Sequence, residues 1–193
     1  MLKKSILPIT LTMMLLSQGC NGENNTKKEE TAKETKIQVK KAENGYKLST
    51  LDNGNFTIIK EKDGFKLKEA KGKIVIYDIF ATWCPPCKAS ASHLSSLQKK
   101  YKDDLIIIGL SIEDNISDEK LLAFQNQNNA HYALVNSNNN RKVADEIVFS
   151  LGLGERYPIP LLAMYKDGKL INHFIGMTQE ELIESDIKTA LGR

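Results

Sequence analysis

The amino-acid sequence predicts an α/β fold: a central mixed β-sheet flanked by helices, with an N-terminal β-hairpin and a central insertion. Residues 73–80 (KIVIYDIF) are nearly continuous in β-branched and aromatic side chains, as a strand buried on both faces would be. A helical stretch and a second apolar run, residues 104–112 (DLIIIGLSI), come next, so strand, helix and strand imply a right-handed parallel β-α-β unit. Residues 160–166 (PLLAMYK) and 169–175 (KLINHFI) flank the turn Asp167-Gly168 as an antiparallel hairpin, which makes the sheet mixed. At 193 residues, 41% of them hydrophobic, the chain is long enough for one ordinary domain with appendages.

Residues 1–20 read as a secretory signal, with a basic start at Lys3 and Lys4, an apolar run over 6–16 too short to span a bilayer comfortably, and Gly19-Cys20 at the end. Residues 21–45 read as a disordered tether, since the stretch 21–36 mixes Lys with Glu and has no aromatic or branched aliphatic residue. The globular domain then occupies 46–193. Residues 46–51 and 55–60 alternate weakly around Asp52-Asn53-Gly54, and Asp63-Gly64 makes another turn, giving the N-terminal hairpin region. The first helix starts at a cysteine pair and runs to about Tyr101, with Leu94, Leu97 and Tyr101 at helical spacing and Lys99, Lys100 and Lys102 marking its end. Between residues 115 and 157 lie a helical segment (118–127), a strand-like one (132–135) and a second helical one (141–149). The Asn-rich spots at 126–129 and 136–140 read as helix ends and loops. Thr178-Gln179-Glu180-Glu181 has the pattern of a capping box opening a last helix to Leu191. The net charge of +3 falls to +1 when Lys3 and Lys4 leave with the signal, too balanced to argue for nucleic acid.

The chemistry centres on Cys84 and Cys87. Three positions apart at a helix start, their sulfurs can meet, and a disulfide can form and break with little backbone motion. Cys84 comes first, among unpaired backbone N–H groups at the positive end of the helix dipole, which favours the thiolate and marks it as the attacking sulfur. Lowering a thiol pKa from about 8.5 to about 7 corresponds to about 2 kcal/mol, within reach of a helix terminus and one or two N–H contacts. Cys87, one turn in, is then the resolving thiol. Pro85 and Pro86 are tolerated in a first turn and offer no N–H to the sulfur. The alternative, half of a zinc site, needs a second Cys/His pair, and His93, His131 and His173 are widely scattered; no metal, cofactor or histidine role is expected. Trp83 stands beside the nucleophile as a shield for the sulfur, an anchor for the loop, or both. Asp78 shares a strand face with Ile74, Ile76 and Phe80, where a carboxylate should have a raised pKa; alternatively it reaches water or a lysine.

The run Trp83-Cys84-Pro85-Pro86-Cys87-Lys88 after a β-strand resembles the active site of membrane-tethered thioredoxins of the TlpA/ResA/CcmG type, and the likeness covers about residues 55–193. The resemblance implies a thioredoxin-like fold, in which the 115–157 region carries an extra helix and strand and is the expected seat of partner specificity. It implies a thiol–disulfide oxidoreductase that reduces envelope proteins, apocytochrome c among the candidates. A membrane disulfide reductase of the DsbD/CcdA type would be its electron donor. It further implies a cis peptide bond before Pro160, with Pro158 as the competing position; Pro160 alone abuts the strand, where a first-position proline is tolerated. Asp78 has the spacing, six residues before Cys84, of the buried aspartate of ordinary thioredoxins that handles the resolving cysteine's proton. TlpA/ResA-type proteins commonly have a glutamate three residues after the second cysteine, and here Ser90 stands there.

The end of the signal resembles that of a bacterial lipoprotein, in which Cys20 becomes the lipid-modified first residue of an extracytoplasmic, membrane-anchored chain. Ser17 departs from that pattern, and an uncleaved anchor or plain secretion without Cys20 stays open. If Cys20 is lipidated, the only remaining cysteines are the active pair. Competing activities are a thiol oxidase or isomerase, a Cu(I)-binding chaperone for which no Met or His completes a site, and a peroxiredoxin-like peroxidase, disfavoured because a resolving thiol is adjacent.

Overall fold

The computed structural model describes residues 45–136 and 138–193. The expected signal peptide, Cys20 and residues 21–44 of the expected tether lie outside them. The strands are β1 (Gly45–Ser49), β2 (Asn55–Glu61), β3 (Gly64–Leu67), β4 (Ile74–Phe80), β5 (Leu105–Ser111), β6 (Ala133–Val135), β7 (Leu161–Lys166) and β8 (Lys169–Ile175). The helices are α1 (Pro85–Lys100), α2 (Asp118–Asn128), α3 (Asn140–Ser150) and α4 (Glu180–Leu191). Gly45 already belongs to β1, one residue ahead of the expected domain start.

All seven residues of β4 are buried, because the strand lies mid-sheet with helices or sheet on both faces. It pairs in parallel with β5 and antiparallel with β7, in the order β6-β5-β4-β7-β8. The fold class read from the sequence therefore holds, and the strand expected to be central is central. Alternate residues of β4 serve two cores. Ile74, Ile76 and Phe80 pack with both cysteines, Leu94 and Leu97 of α1, Phe124 of α2 and Ile183 and Ile187 of α4. Val75, Tyr77 and Ile79 pack on the other face with Val143 and Ile147 of α3 and with Leu48, Ile58 and Phe65 of the N-terminal strands.

Two details differ from expectation. The N-terminal hairpin gains a third strand, since Ile58 of β2 also pairs with Leu67 of β3, making an antiparallel sheet in the order β1-β2-β3. The capping box at Thr178 does not form. The last helix begins at Glu180 after Gln179, and the Thr178 hydroxyl turns back to donate to the Gly176 carbonyl at 3.4 Å.

The insertion extends the sheet. After α2, β6 adds in parallel to β5, with Gly109 opposite Leu134. Its outer edge is occupied by the chain after β1, through the Leu51 N–H to the Leu134 carbonyl at 3.2 Å and the Asn136 N–H to the Ser49 carbonyl at 3.0 Å. A strand of three residues is thus held on both sides, which fixes the position of the residue just before it, Tyr132.

Candidate active site

β4 delivers the chain to the site and α1 carries it away. In the short link between them, the Thr82 N–H donates to Glu113 Oε2 at 2.6 Å, and the Cys84 N–H to the Ala81 carbonyl at 3.1 Å. Glu113 follows β5, and its other oxygen pairs with Lys120 of α2. Burial pushes the Glu113 carboxyl up, but Lys120 and Thr82 outweigh it and hold the group below its ordinary range. An ionised carboxylate from the neighbouring strand therefore pins the loop that presents Cys84.

Cys84 is the N-cap of α1, with extended backbone, and its Sγ accepts from the Cys87 N–H at 3.3 Å. Pro85 and Pro86 occupy the first two helical positions, so Cys87 supplies the only N–H of the first three. Cys84 and Cys87 form a disulfide with their Cα atoms 5.3 Å apart. The Ile159–Pro160 peptide is cis, and the Ile159 carbonyl oxygen lies 3.8 Å from Cys84 Sγ. Trp83 is 61% exposed, whereas Cys84 and Cys87 are only 2% and 3% exposed, so the sulfurs lie below a surface on which the indole stands out.

Asp78 lies on the face of β4 whose neighbours Ile76 and Phe80 pack into the same cluster as the two cysteines. It is 3% exposed, and burial pushes its carboxyl up to about 7, against the opposing effect of a hydrogen bond from Tyr132. That bond runs from the Tyr132 hydroxyl to Asp78 Oδ2 at 2.7 Å. Among the described residues Asp78 Oδ1 has no partner. Asp78 therefore reaches neither a strand end nor a lysine. Ser90, where the resembled family commonly has glutamate, is buried, and its hydroxyl donates to the Pro86 carbonyl of its own helix at 3.0 Å.

Cys84, Cys87, Ile159 and Pro160 are thus brought together, with Trp83 alongside and Asp78 beneath in the same core, while Cys20 lies outside the described residues. His93 and His131 are exposed and His173 is half-buried on β8. Among the described residues no three His, Cys, Asp or Glu side chains gather to hold a metal. Sequence reasoning missed Tyr132 and Glu113. One trace of Tyr132 was available: a glycine inside an apolar strand, Gly109, marks a close approach by something else.

A central mixed sheet with a Cys-Pro-Pro-Cys disulfide opening a helix beside a cis-proline defines the thioredoxin-like class of thiol–disulfide oxidoreductases. The chain belongs to the AhpC/TSA family, whose profile matches residues 31–159. It is 32% identical over 120 residues to thioredoxin-like protein YneN of Bacillus subtilis, a match covering 62% of this chain and 63% of that protein. It is 27% identical over 134 residues to thiol-disulfide oxidoreductase ResA of Bacillus thuringiensis, covering 68% of this chain and 72% of ResA. A thiol:disulfide interchange protein of the thioredoxin family from Chlorobium tepidum has the same fold, with a TM-score of 0.60 over 77% of this chain and 94% of that one at 19% identity.

Proposed function

We propose that the protein is an extracytoplasmic reductant. In its reduced form the Cys84 thiolate attacks a disulfide of an envelope protein, forming a mixed disulfide and releasing the first substrate thiolate. Asp78 takes the proton of Cys87, whose thiolate attacks Cys84 Sγ. The Cys84–Cys87 disulfide forms, the second substrate sulfur leaves as a thiolate that recovers the Cys87 proton from Asp78, the first takes a proton from solvent, and the substrate has gained two electrons and two protons. A membrane disulfide reductase of the DsbD/CcdA type, on the same reading, restores the dithiol, and a lipid on Cys20 keeps the domain at the membrane. Trp83 shields the sulfur, and the backbone of Ile159 before Pro160 is free to pair with an extended substrate segment. Apocytochrome c is the substrate class this reading favours.

The observation that carries the direction of electron flow is the donor set around Cys84. An unsubstituted helix start would aim several N–H groups at the N-cap sulfur, stabilising the thiolate and making the disulfide easy to reduce. Here two of the first three positions are prolines, and one N–H reaches the sulfur. The reduced form is accordingly less stabilised, and the pair gives up electrons readily. Equilibration with glutathione buffers of graded composition measures this, and a potential of about −250 mV or below is expected; a value near −120 mV would place the pair among the oxidases.

A further inference from the structure

Asp78 is reached from an unexpected direction. Its register partner on β5 is Gly109, and Gly109 in turn faces Leu134 on β6. A Cβ at Gly109 would lie 2.6 Å from Leu134 Cδ2, 3.1 Å from Phe80 Cε1 and 3.3 Å from Tyr132 Cε2. The missing side chain thus leaves room over β5 that Leu134, Phe80 and the Tyr132 ring share, and the Tyr132 hydroxyl reaches across β5 to hydrogen-bond with the carboxylate on β4. Tyr132 is 5% exposed, so its hydroxyl is a buried donor whose described partner is Asp78 Oδ2.

We propose that Tyr132, admitted by Gly109, is a positioning residue for disulfide exchange: it holds one oxygen of Asp78 and leaves Oδ1 as the atom that takes the Cys87 proton. This rests on the proton path assigned to Asp78 above. The hydrogen bond has two effects. It fixes the carboxylate rotamer, and because the ionised form accepts it more strongly than the neutral form, it brings the base into use at lower pH. The titratable groups in the buried cluster on this side of the sheet are Tyr132, from the insertion, Cys84 and Cys87, at the start of α1, and Tyr101, just after its end; among the described residues no charged side chain contributes to the Asp78 shift. Tyr132 itself is pushed well above its ordinary range, by burial first and by Asp78 second, so it stays a donor across the working pH range.

The test is single-turnover oxidation of the full-length reduced protein by glutathione disulfide, followed through Trp83, the single tryptophan of the chain, from pH 5.5 to 9.5. Glutathione forms a mixed disulfide on Cys84; Cys87 then displaces it, with its proton passing to Asp78. Tyr132→Phe should move the midpoint of the resolution step upward by about one pH unit, the worth of one hydrogen bond to a charged group, and slow the step several-fold at pH 7 with recovery at pH 9. Site-specific 3-fluorotyrosine at 132 keeps the ring and strengthens the donor, so it should move the midpoint the other way; it remains informative if the Phe variant folds poorly. Asp78→Asn should slow resolution by roughly ten- to a hundredfold and remove the midpoint. If Asp78→Asn does so while both changes at 132 leave the midpoint in place, the role of Tyr132 is overturned and that of Asp78 stands. If Asp78→Asn matches wild type throughout, the proton path fails and the proposal with it.

Discussion

Cys84 and Cys87 are equally buried but differently placed: Cys87 sits one turn inside α1, whereas Cys84 caps the helix with its sulfur 3.8 Å from the Ile159 carbonyl, where an extended partner would lie. On the proposed mechanism this difference in place gives attack to Cys84 and resolution to Cys87. Cys87→Ser should therefore leave Cys84 joined to its partners, with mixed disulfides that outlive those of wild type by at least about tenfold on non-reducing gels of envelope extract. Accumulation with Cys84→Ser instead would reverse the roles. Residues of this kind were legible in the sequence because their chemistry is local: two thiols three apart, two prolines between them, and an aspartate breaking an apolar strand each announce themselves without a partner. Tyr132 and Glu113 were not legible, because what makes them matter is a contact across β5 or with the loop before Cys84. Sequence separations of 54 between Tyr132 and Asp78 and 31 between Glu113 and Thr82 leave no pattern to read.

At the scale of the element, the start of α1 sets how far the thiolate is favoured. The position two residues after an N-cap is one of the two whose N–H an N-cap side chain accepts. Here it is Pro86, and the Cys87 N–H at the next position is left alone with the sulfur. Pro86→Ala should add a donor with little other change, and Pro86→His a donor plus a partial positive charge. The potential is expected to rise in the order wild type, Ala, His, the first step by roughly 30 mV for about 1.4 kcal/mol of thiolate stabilisation. Potentials that stay level or fall along the series would remove the argument from the donor set. The elements themselves were legible in proportion to their periodicity. β4, α1 and β5 each show a long apolar run or a helical spacing, and the structure places them within a residue or two of expectation. The last helix shows the opposite case: Thr178 and Glu181 have capping-box spacing, yet the turn through Gly176 takes the hydroxyl elsewhere and the helix starts one residue late, with Gln179 in the capping position. A local motif lost to a local competitor.

For the molecule as a whole, a carboxyl group buried in the core carries a stability cost that varies with pH. The Asp78 carboxyl is moved from 3.8 to about 7 on folding, chiefly by burial. Between those values the native state holds a proton that the unfolded chain has released. The folded state binds more protons there, and stability must fall as pH rises through that window. Below about pH 3 both states are protonated and nothing is lost; above about pH 7.5 the loss is complete, on the order of 4 kcal/mol for a shift of about three units. Asp78→Asn keeps an oxygen for the Tyr132 hydroxyl to donate to and removes the titration. Other carboxylates with lowered values, such as Glu184 at about 2 beside Lys100 and Lys188, favour stability at higher pH, but they are common to both proteins and cancel in the comparison. Urea unfolding of the oxidised forms, in which neither Cys84 nor Cys87 titrates, should give equal stabilities near pH 3. The Asn variant should then gain by a few kcal/mol as the pH is raised to 8. A difference that does not grow with pH would mean that Asp78 is not the buried, proton-holding group on which the resolution step is built, and would count against the exchange chemistry from a measurement that involves no substrate at all.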